Sequence, residues 1–470
     1  MNAINRLLSG RSPVQLRPGT RCYGFSMRRK ITPPLIAVLL LFLVSTNSAA
    51  SPVKAGSICT KLNQSTVVAG SNFICAKLGK KLVWNKVPTV SNPAPTPPTP
   101  PTPLASSTPA STNTTAPCKL PVADGRGDVA IGGWPRIPQR MKSNGTVISQ
   151  VIMVDFPDAP ATMSTQAAFA KISGATDTFK EVSYGKFIYE MQPTTKWYRM
   201  SKNSSAYVAG GWSFEKHKNY ILEATSLADK DVDFSKSDSF IILANPDAVG
   251  MGTSGPAFSP MRNDGITLDG HYIGNGATSA YDLNHWGSIW ANHELTHTLG
   301  MVDLYTFNPS QNGNVPFPFT GDFSYMGDSS FTSNSPSLLA FERWNIGWLD
   351  DSQILCSSSK EITQLISPIE ETGGLKAVII PITKTKALVV ESRRPLGIDK
   401  NLAKSGALVY LVDSSIQSGL GPVKVYPANT SSDPSFKQSP RAAGESVTVE
   451  GITVMVSASN SSGDTVKITH

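Results

Sequence analysis

His293-Glu294-Leu295-Thr296-His297-Thr298-Leu299-Gly300-Met301-Val302-Asp303, entered through the apolar turn Ile289-Trp290-Ala291, is the stretch on which the reading of this chain turns. Residues four apart on an α-helix stand one above the other. His293 and His297 therefore aim their imidazoles at one point, where a Zn²⁺ ion accepts nitrogen ligands at about 2.0–2.1 Å. Glu294 lies one position round the helix, too far to share the metal directly and well placed to reach a water on it. Gly300 adopts positive φ at little cost and ends the helix, so the chain can turn and bring Asp303 back to the ion. Two imidazoles, one carboxylate and a position left for water describe an open, catalytic site. There the metal polarises a carbonyl and acidifies water, while Glu294, as general base, takes the proton and later delivers it to a leaving amine. The reaction class that follows is peptide-bond hydrolysis. His217, His271, His285 and His470 show no ligand spacing and read as surface or structural histidines.

Downstream, Asp322-Phe323-Ser324-Tyr325-Met326-Gly327-Asp328 stands in a loop rich in Pro, Gly and Ser, and Met326 is expected to form a turn beneath the zinc. Tyr325, or Tyr305 just after Asp303, is a candidate donor to a developing oxyanion. A packed aromatic is the alternative for each. The acidic loops near Asp303 and Asp322 leave room for a structural calcium ion as well.

Around this centre, residues 118–350 alternate strand-like and helix-like signals. Residues 147–156 (VISQVIMVDF) form a β-rich run closed by Pro157, 166–172 and 212–227 read as helices, and 178–192 pass from helix into strand through Gly185. Residues 239–244 (SFIILA) read as a buried strand stopped by Asn245-Pro246. The pattern predicts an α+β domain with a twisted mixed sheet and an active-site helix. After Trp348-Leu349 short β segments recur at 361–366, 377–382, 387–391, 406–412, 445–449 and 451–456, which predicts an all-β sandwich over 351–470.

The other end of the chain is organised differently. The formal charge of +8 raises the question of nucleic acid, but residues 1–30 carry seven positive charges and no acid, which leaves about +1 for the remainder and no basic stripe. Nucleic-acid binding is therefore not expected. Arg28-Arg29-Lys30, the apolar run 35–44 and Ser48-Ala49-Ala50 read as a secretory signal cleaved near Ala50, with translation starting at Met27. Ten apolar residues fall short of the ~18–20 that span a bilayer. Residues 51–87 read as a small β module containing Cys59 and Cys75, with contact to the cell wall as one use for it. Residues 88–117, ten of them proline and none charged, read as an extended linker. In an oxidising compartment Cys59, Cys75, Cys118 and Cys356 make two disulfides. Cys59–Cys75 with Cys118–Cys356 is the favoured pairing, and the other two pairings stay open. A Cys118 thiolate blocking the zinc until it is cleaved away is a competing use of that residue.

The chain resembles metzincin-type zinc peptidases and, more closely, the immune-inhibitor-A family of secreted bacterial metalloproteases. The resemblance rests on Val151-Ile152-Met153-Val154-Asp155-Phe156-Pro157-Asp158, Phe179-Lys180-Glu181-Val182-Ser183-Tyr184-Gly185-Lys186, the segment from His293 to Tyr305, Ser324-Tyr325-Met326, and Trp344-Asn345-Ile346-Gly347-Trp348-Leu349. It covers about 147–350 and runs more weakly to the end. It implies a metzincin-like fold, an extracellular endopeptidase acting on proteins or peptides, zinc on His293, His297 and a third ligand after the glycine, here Asp303, and a Met-turn at Met326. Metzincins more often use a third histidine, so Glu342 is the alternative third ligand, with a salt bridge or a surface carboxylate as its other readings. A monomer is expected. The competing functions are a zinc-dependent hydrolase of cell-wall amides and an exported binding protein without catalysis.

Overall fold

The computed structural model describes residues 53–62, 64–69, 71–86, 114–122, 133–253, 255–260, 263–281, 283–312, 317–327, 337–427, 432–433 and 435–470. The signal segment with Met27, Cys22, nearly all of the proline-rich linker, and Asp328 lie outside the described residues. The chain divides into two compact units, whose described parts are 53–86 and 114–470. None of the helices among the described residues is long and apolar enough to cross a membrane.

The first unit is an antiparallel sheet of β1 (Ser65–Val68), β2 (Ser71–Leu78) and β3 (Lys81–Lys86), in that order. Alternation along β2 puts Phe73 and Cys75 on one face, where Cys75 stands opposite Trp84 and bonds to Cys59. Four buried side chains make too small a core to hold three strands by apolar burial alone. The Cys59–Cys75 bridge closes a loop of 16 residues and contributes on the order of 3 kcal/mol through the unfolded chain.

The second unit is mixed α+β, with several sheets and few helices. Its first sheet contains β4 (Gly145–Asp155), β5 (Phe187–Pro193), β6 (Tyr198–Arg199), β7 (Ser239–Ala244), β8 (Ala257–Phe258) and β11 (Gly276–Thr278), while β9 (Ile266–Leu268) and β10 (His271–Ile273) form a separate hairpin. The order is β5-β4-β7-β11-β8, with β6 also on β4; every pairing is parallel except that of β8, the edge strand, with β11. Helices α1 (Thr165–Ala170), α2 (Ala175–Val182), α3 (Ser204–Val208) and α4 (Phe214–Ala228) connect these strands. Period-two alternation splits the sheet between two cores. Val147, Val151, Met153, Ile241 and Leu243 face α2 and the helix α5 (Leu283–Thr298), whereas Ile152, Val154, Phe240, Ile242 and Ala244 face α4.

Beyond α5 and the short α6 (Ala340–Asn345) lies a five-stranded sheet in the order β12-β14-β15-β16-β17, made of β12 (Ile354–Cys356), β14 (Ala377–Pro381), β15 (Lys386–Arg393), β16 (Gly406–Asp413) and β17 (Val423–Tyr426). A four-stranded sheet follows, in the order β13-β20-β19-β18, from β13 (Glu361–Ile366), β18 (Ser446–Val449), β19 (Ile452–Asn460) and β20 (Gly463–Thr469). One face of the five-stranded sheet, with Val378, Ile380, Leu388, Val390 and Val409, meets the four-stranded sheet. Its other face, with Ile379, Val389, Leu408 and Tyr410, belongs to the same core as α5 and α2. Residues after 350 are thus continuous in packing with the region that holds the motif. Cys118 and Cys356 join by a disulfide across a separation of 238 residues. That bond takes up the Cys118 sulfur and leaves no thiolate there to block a metal.

Candidate metal centre

The second half of helix α5 is interior: every residue from Trp290 to Thr296 is buried, whereas Asn284 and His285 in its first turn are exposed. An interior helix needs its polar groups satisfied, and here the donors are, while the Asn292 Oδ1 is buried without a hydrogen-bond partner. The Trp290 indole N–H donates to the Gly255 carbonyl at 3.1 Å, the Asn292 amide to the Ala175 carbonyl at 3.0 Å, and the Thr296 and Tyr325 hydroxyls pair at 3.0 Å. The helix is interrupted at Gly287, whose φ of 55° and ψ of −134° no helical residue shares, so the motif stands on the straight piece that follows. At the far end Gly300 has φ 106°, its N–H donates to the His297 carbonyl at 2.9 Å, and the chain reverses there. The helical phasing and the turn at glycine are both as the sequence predicts.

This reversal brings three donors together. His293 Nε2 lies 3.1 Å from Asp303 Oδ1 and His297 Nε2 lies 3.3 Å from the same oxygen, with all three side chains offering ligand atoms within 4.8 Å of one another. The two rings are perpendicular, their centroids 4.8 Å apart. Around a tetrahedral ion with bonds of about 2.0–2.1 Å, donor atoms stand about 3.3 Å apart, which the two distances to Asp303 Oδ1 already match. Their rear atoms are fixed too. His293 Nδ1 donates to the Tyr325 carbonyl at 2.8 Å, and His297 Nδ1 to the Met301 carbonyl at 2.9 Å. A proton held on Nδ1 by a carbonyl leaves the Nε2 lone pair for a metal. Among the described residues this is the one group of three or more His, Cys, Asp or Glu side chains placed to hold an ion.

The electrostatics favour a cation between them. Burial alone would lower the His297 pKa, but the Asp303 carboxylate outweighs it, helped by Glu294 and the Met301 carbonyl, and holds it above the ordinary 6.5. Burial would raise the Asp303 carboxyl, yet His297 and His293 keep it well below the usual carboxylate range. A divalent ion with both rings neutral satisfies every atom of the group.

Glu294, 7 % exposed, sits beside the trio, and its Oε2 accepts the Ala257 N–H of edge strand β8 at 2.8 Å. Nothing in the sequence signals that anchor, because two residues of strand are too few for alternation to register. Met326 is fully buried in a tight turn in which the Gly327 N–H donates to the Ser324 carbonyl at 2.9 Å. The Leu304 N–H donates to the Met326 carbonyl at 2.8 Å, so one turn holds both the first histidine and the segment that carries Asp303.

Other expected site residues have different places. Tyr325 is buried, and its hydroxyl is engaged with Thr296 on the body of the helix rather than aimed at a reacting carbonyl. Its contribution to the centre is its backbone carbonyl. The Tyr305 ring stays close, 6.2 Å from that of His293. Glu342 is neither a ligand in the trio nor a surface carboxylate. It is 1 % exposed and accepts the Leu339 N–H at 2.8 Å at the start of α6, and burial pushes its pKa up to about 7. Asp322 takes no part in the trio. His217 is a buried structural histidine: its Nε2 pairs with Thr278 Oγ1 at 2.8 Å, and burial lowers its pKa to about 3. No family model matches the chain, and no curated protein matches its sequence.

Proposed function

We propose that this protein is a secreted zinc-dependent endopeptidase, with a metzincin-like catalytic region over about 118–350 and a β-sandwich over 351–470. The observation that carries the proposal is the convergence of His293 Nε2, His297 Nε2 and Asp303 Oδ1, with the rear nitrogens of both rings tied to carbonyl oxygens. Two imidazoles and a carboxylate are a donor set suited to Zn²⁺, and three protein donors leave a tetrahedral position open. When bound, zinc supplies Lewis acidity that polarises a carbonyl and makes water a better nucleophile. Glu294, adjacent to the trio, takes the proton of the attacking water and passes it to the leaving nitrogen. The Ala257 N–H holds one of its oxygens and so orients the other.

The peptide as substrate is supported by the placement of β8. It is the edge of its sheet, antiparallel to its neighbour and bonded to the base, so an extended chain lying along it would run past Glu294. The likeness to the immune-inhibitor-A family rests on the same motif and on the turn at Met326 beneath it. Export is supported by the two disulfides, which persist in oxidising surroundings.

The test uses the mature protein stripped of metal with a chelator and titrated with Zn²⁺. One equivalent should bind and casein hydrolysis should appear with it, while Glu294→Gln binds the same equivalent and loses at least about a hundredfold in rate. Absence of zinc binding, or an equally active Glu294→Gln, overturns the proposal. Hydrolysis confined to purified cell-wall peptide, with casein untouched, would move the target from proteins to wall amides.

A further inference from the structure

The third donor, Asp303, is reached from an unexpected direction. Between β16 and β17, in the five-stranded sheet, the loop 415–421 leans onto the segment that carries it. The Asp303 N–H donates to Ser418 Oγ at 3.1 Å, the Ser418 hydroxyl donates to Asp303 Oδ2 at 3.4 Å, and the Gly419 N–H donates to the Asp303 carbonyl at 3.1 Å. Ser418 thus grips both the backbone and the outer carboxylate oxygen of one residue. With Oδ2 engaged, Oδ1 is the oxygen left to face His293 and His297, at 3.1 and 3.3 Å.

The loop is built to stay in place. At its base the Asp413 N–H donates to the Pro422 carbonyl at 2.8 Å, and Asp413 Oδ1 accepts from the Ser415 backbone and hydroxyl at 3.0 and 2.6 Å. At its tip the Phe307 N–H donates to the Gly419 carbonyl at 3.3 Å. Gly419 has φ +72°, and a Cβ there would stand 2.3 Å from the Phe307 ring, so only glycine lets loop and ring approach this closely.

We infer that Ser418 is a positioning residue of the metal centre, selecting the Asp303 oxygen that binds, and that the C-terminal sheet which carries it completes the site. The inference rests on the reading of His293, His297 and Asp303 as a metal site. Carboxylate ligands are oriented by such outer partners, whose loss costs about 10–100-fold in metal affinity.

The experiment measures Zn²⁺ affinity of the full-length mature protein by competition with a chelating dye, and the visible spectrum of the Co²⁺-substituted form. Ser418→Ala should weaken zinc binding by about tenfold or more and shift the cobalt bands, while Ser418→Thr, which keeps a hydroxyl, restores both. Gly419→Ala, which displaces the loop but retains Ser418, should weaken binding as well and serves if Ser418→Ala does not fold. Unchanged affinity and an unchanged cobalt spectrum in Ser418→Ala, or in Gly419→Ala where that variant must stand in, overturn the inference and leave the metal site intact. Failure of the unsubstituted protein to bind zinc at all overturns the metal-site reading beneath it.

Discussion

Glu342→Gln is expected to stabilise this protein by an amount that depends on pH. The carboxyl of Glu342 is 1 % exposed, held by the Leu339 N–H and the Ser324 hydroxyl. Burial raises its pKa from the ordinary 4.5 to about 7; Glu391 adds to the rise, and the two hydrogen bonds and Arg393 oppose it. Below pH 4.5 folded and unfolded chains both carry the proton and the group costs nothing. As pH rises from 4.5 to about 7 the unfolded chain releases it while the folded chain keeps it, so stability falls across that window and stays low above it. The full loss is on the order of 3 kcal/mol. Glutamine keeps an acceptor for Leu339 and has no proton to release. The stability difference between Glu342→Gln and the unsubstituted protein should therefore grow from near zero at pH 4.5 to about 2–3 kcal/mol at pH 8. Urea denaturation of both proteins, metal-free, at several pH values between 4.5 and 8 measures it, and the other titrating groups cancel in the difference. A difference that stays flat with pH would refute the reasoning. Zinc affinity of Glu342→Gln should be unchanged, since Glu342 stands outside the trio.

Other outcomes follow from the same geometry. His297→Ala should lose zinc binding, read by metal analysis after gel filtration, because two donors and a distorted Asp303 no longer enclose an ion. Zinc affinity of the unsubstituted protein should fall as pH is lowered, starting above 6.5, because Asp303 holds the proton on His297 more tightly than usual; a chelator competition series across pH reads the onset. Met326→Ala should destabilise by about 2–5 kcal/mol in denaturant and loosen zinc as well, whereas Met326→Leu should cost less than about 1.5 kcal/mol. Replacing Cys118 and Cys356 together by serine should cost up to about 5 kcal/mol, since their bridge closes 238 residues; thermal and urea unfolding measure it.

The motif was legible because local rules fix it. Four-residue spacing places His293 over His297 on any helix, and a glycine after the last turn lets any chain reverse. The long strands of the first sheet and most of those after 350 were legible for a similar reason, since continuous apolar runs such as 239–244 announce buried strands. Strands β8 and β11, of two and three residues, have too short a pattern to read, although one of them anchors Glu294. The surroundings of Glu342 are not legible in the sequence, because Ser324, Glu391 and Arg393, which act on its carboxyl, are all distant from it along the chain. Ser418 lies 115 residues from Asp303 in a turn whose composition signals only a turn. The tie between the C-terminal sheet and Asp303 exists only in three dimensions.

The five-stranded sheet has no wet side. Strands β15 and β16 are buried at all but one position each, while β13, at the outer sheet, alternates between exposed and covered residues. A scan of every substitution along β13 should give a sawtooth of tolerance, every second residue forgiving. Along β15 the trace should be a plateau of intolerance, because each side chain there is wedged between two dry layers, one of them shared with the helix that bears the histidines.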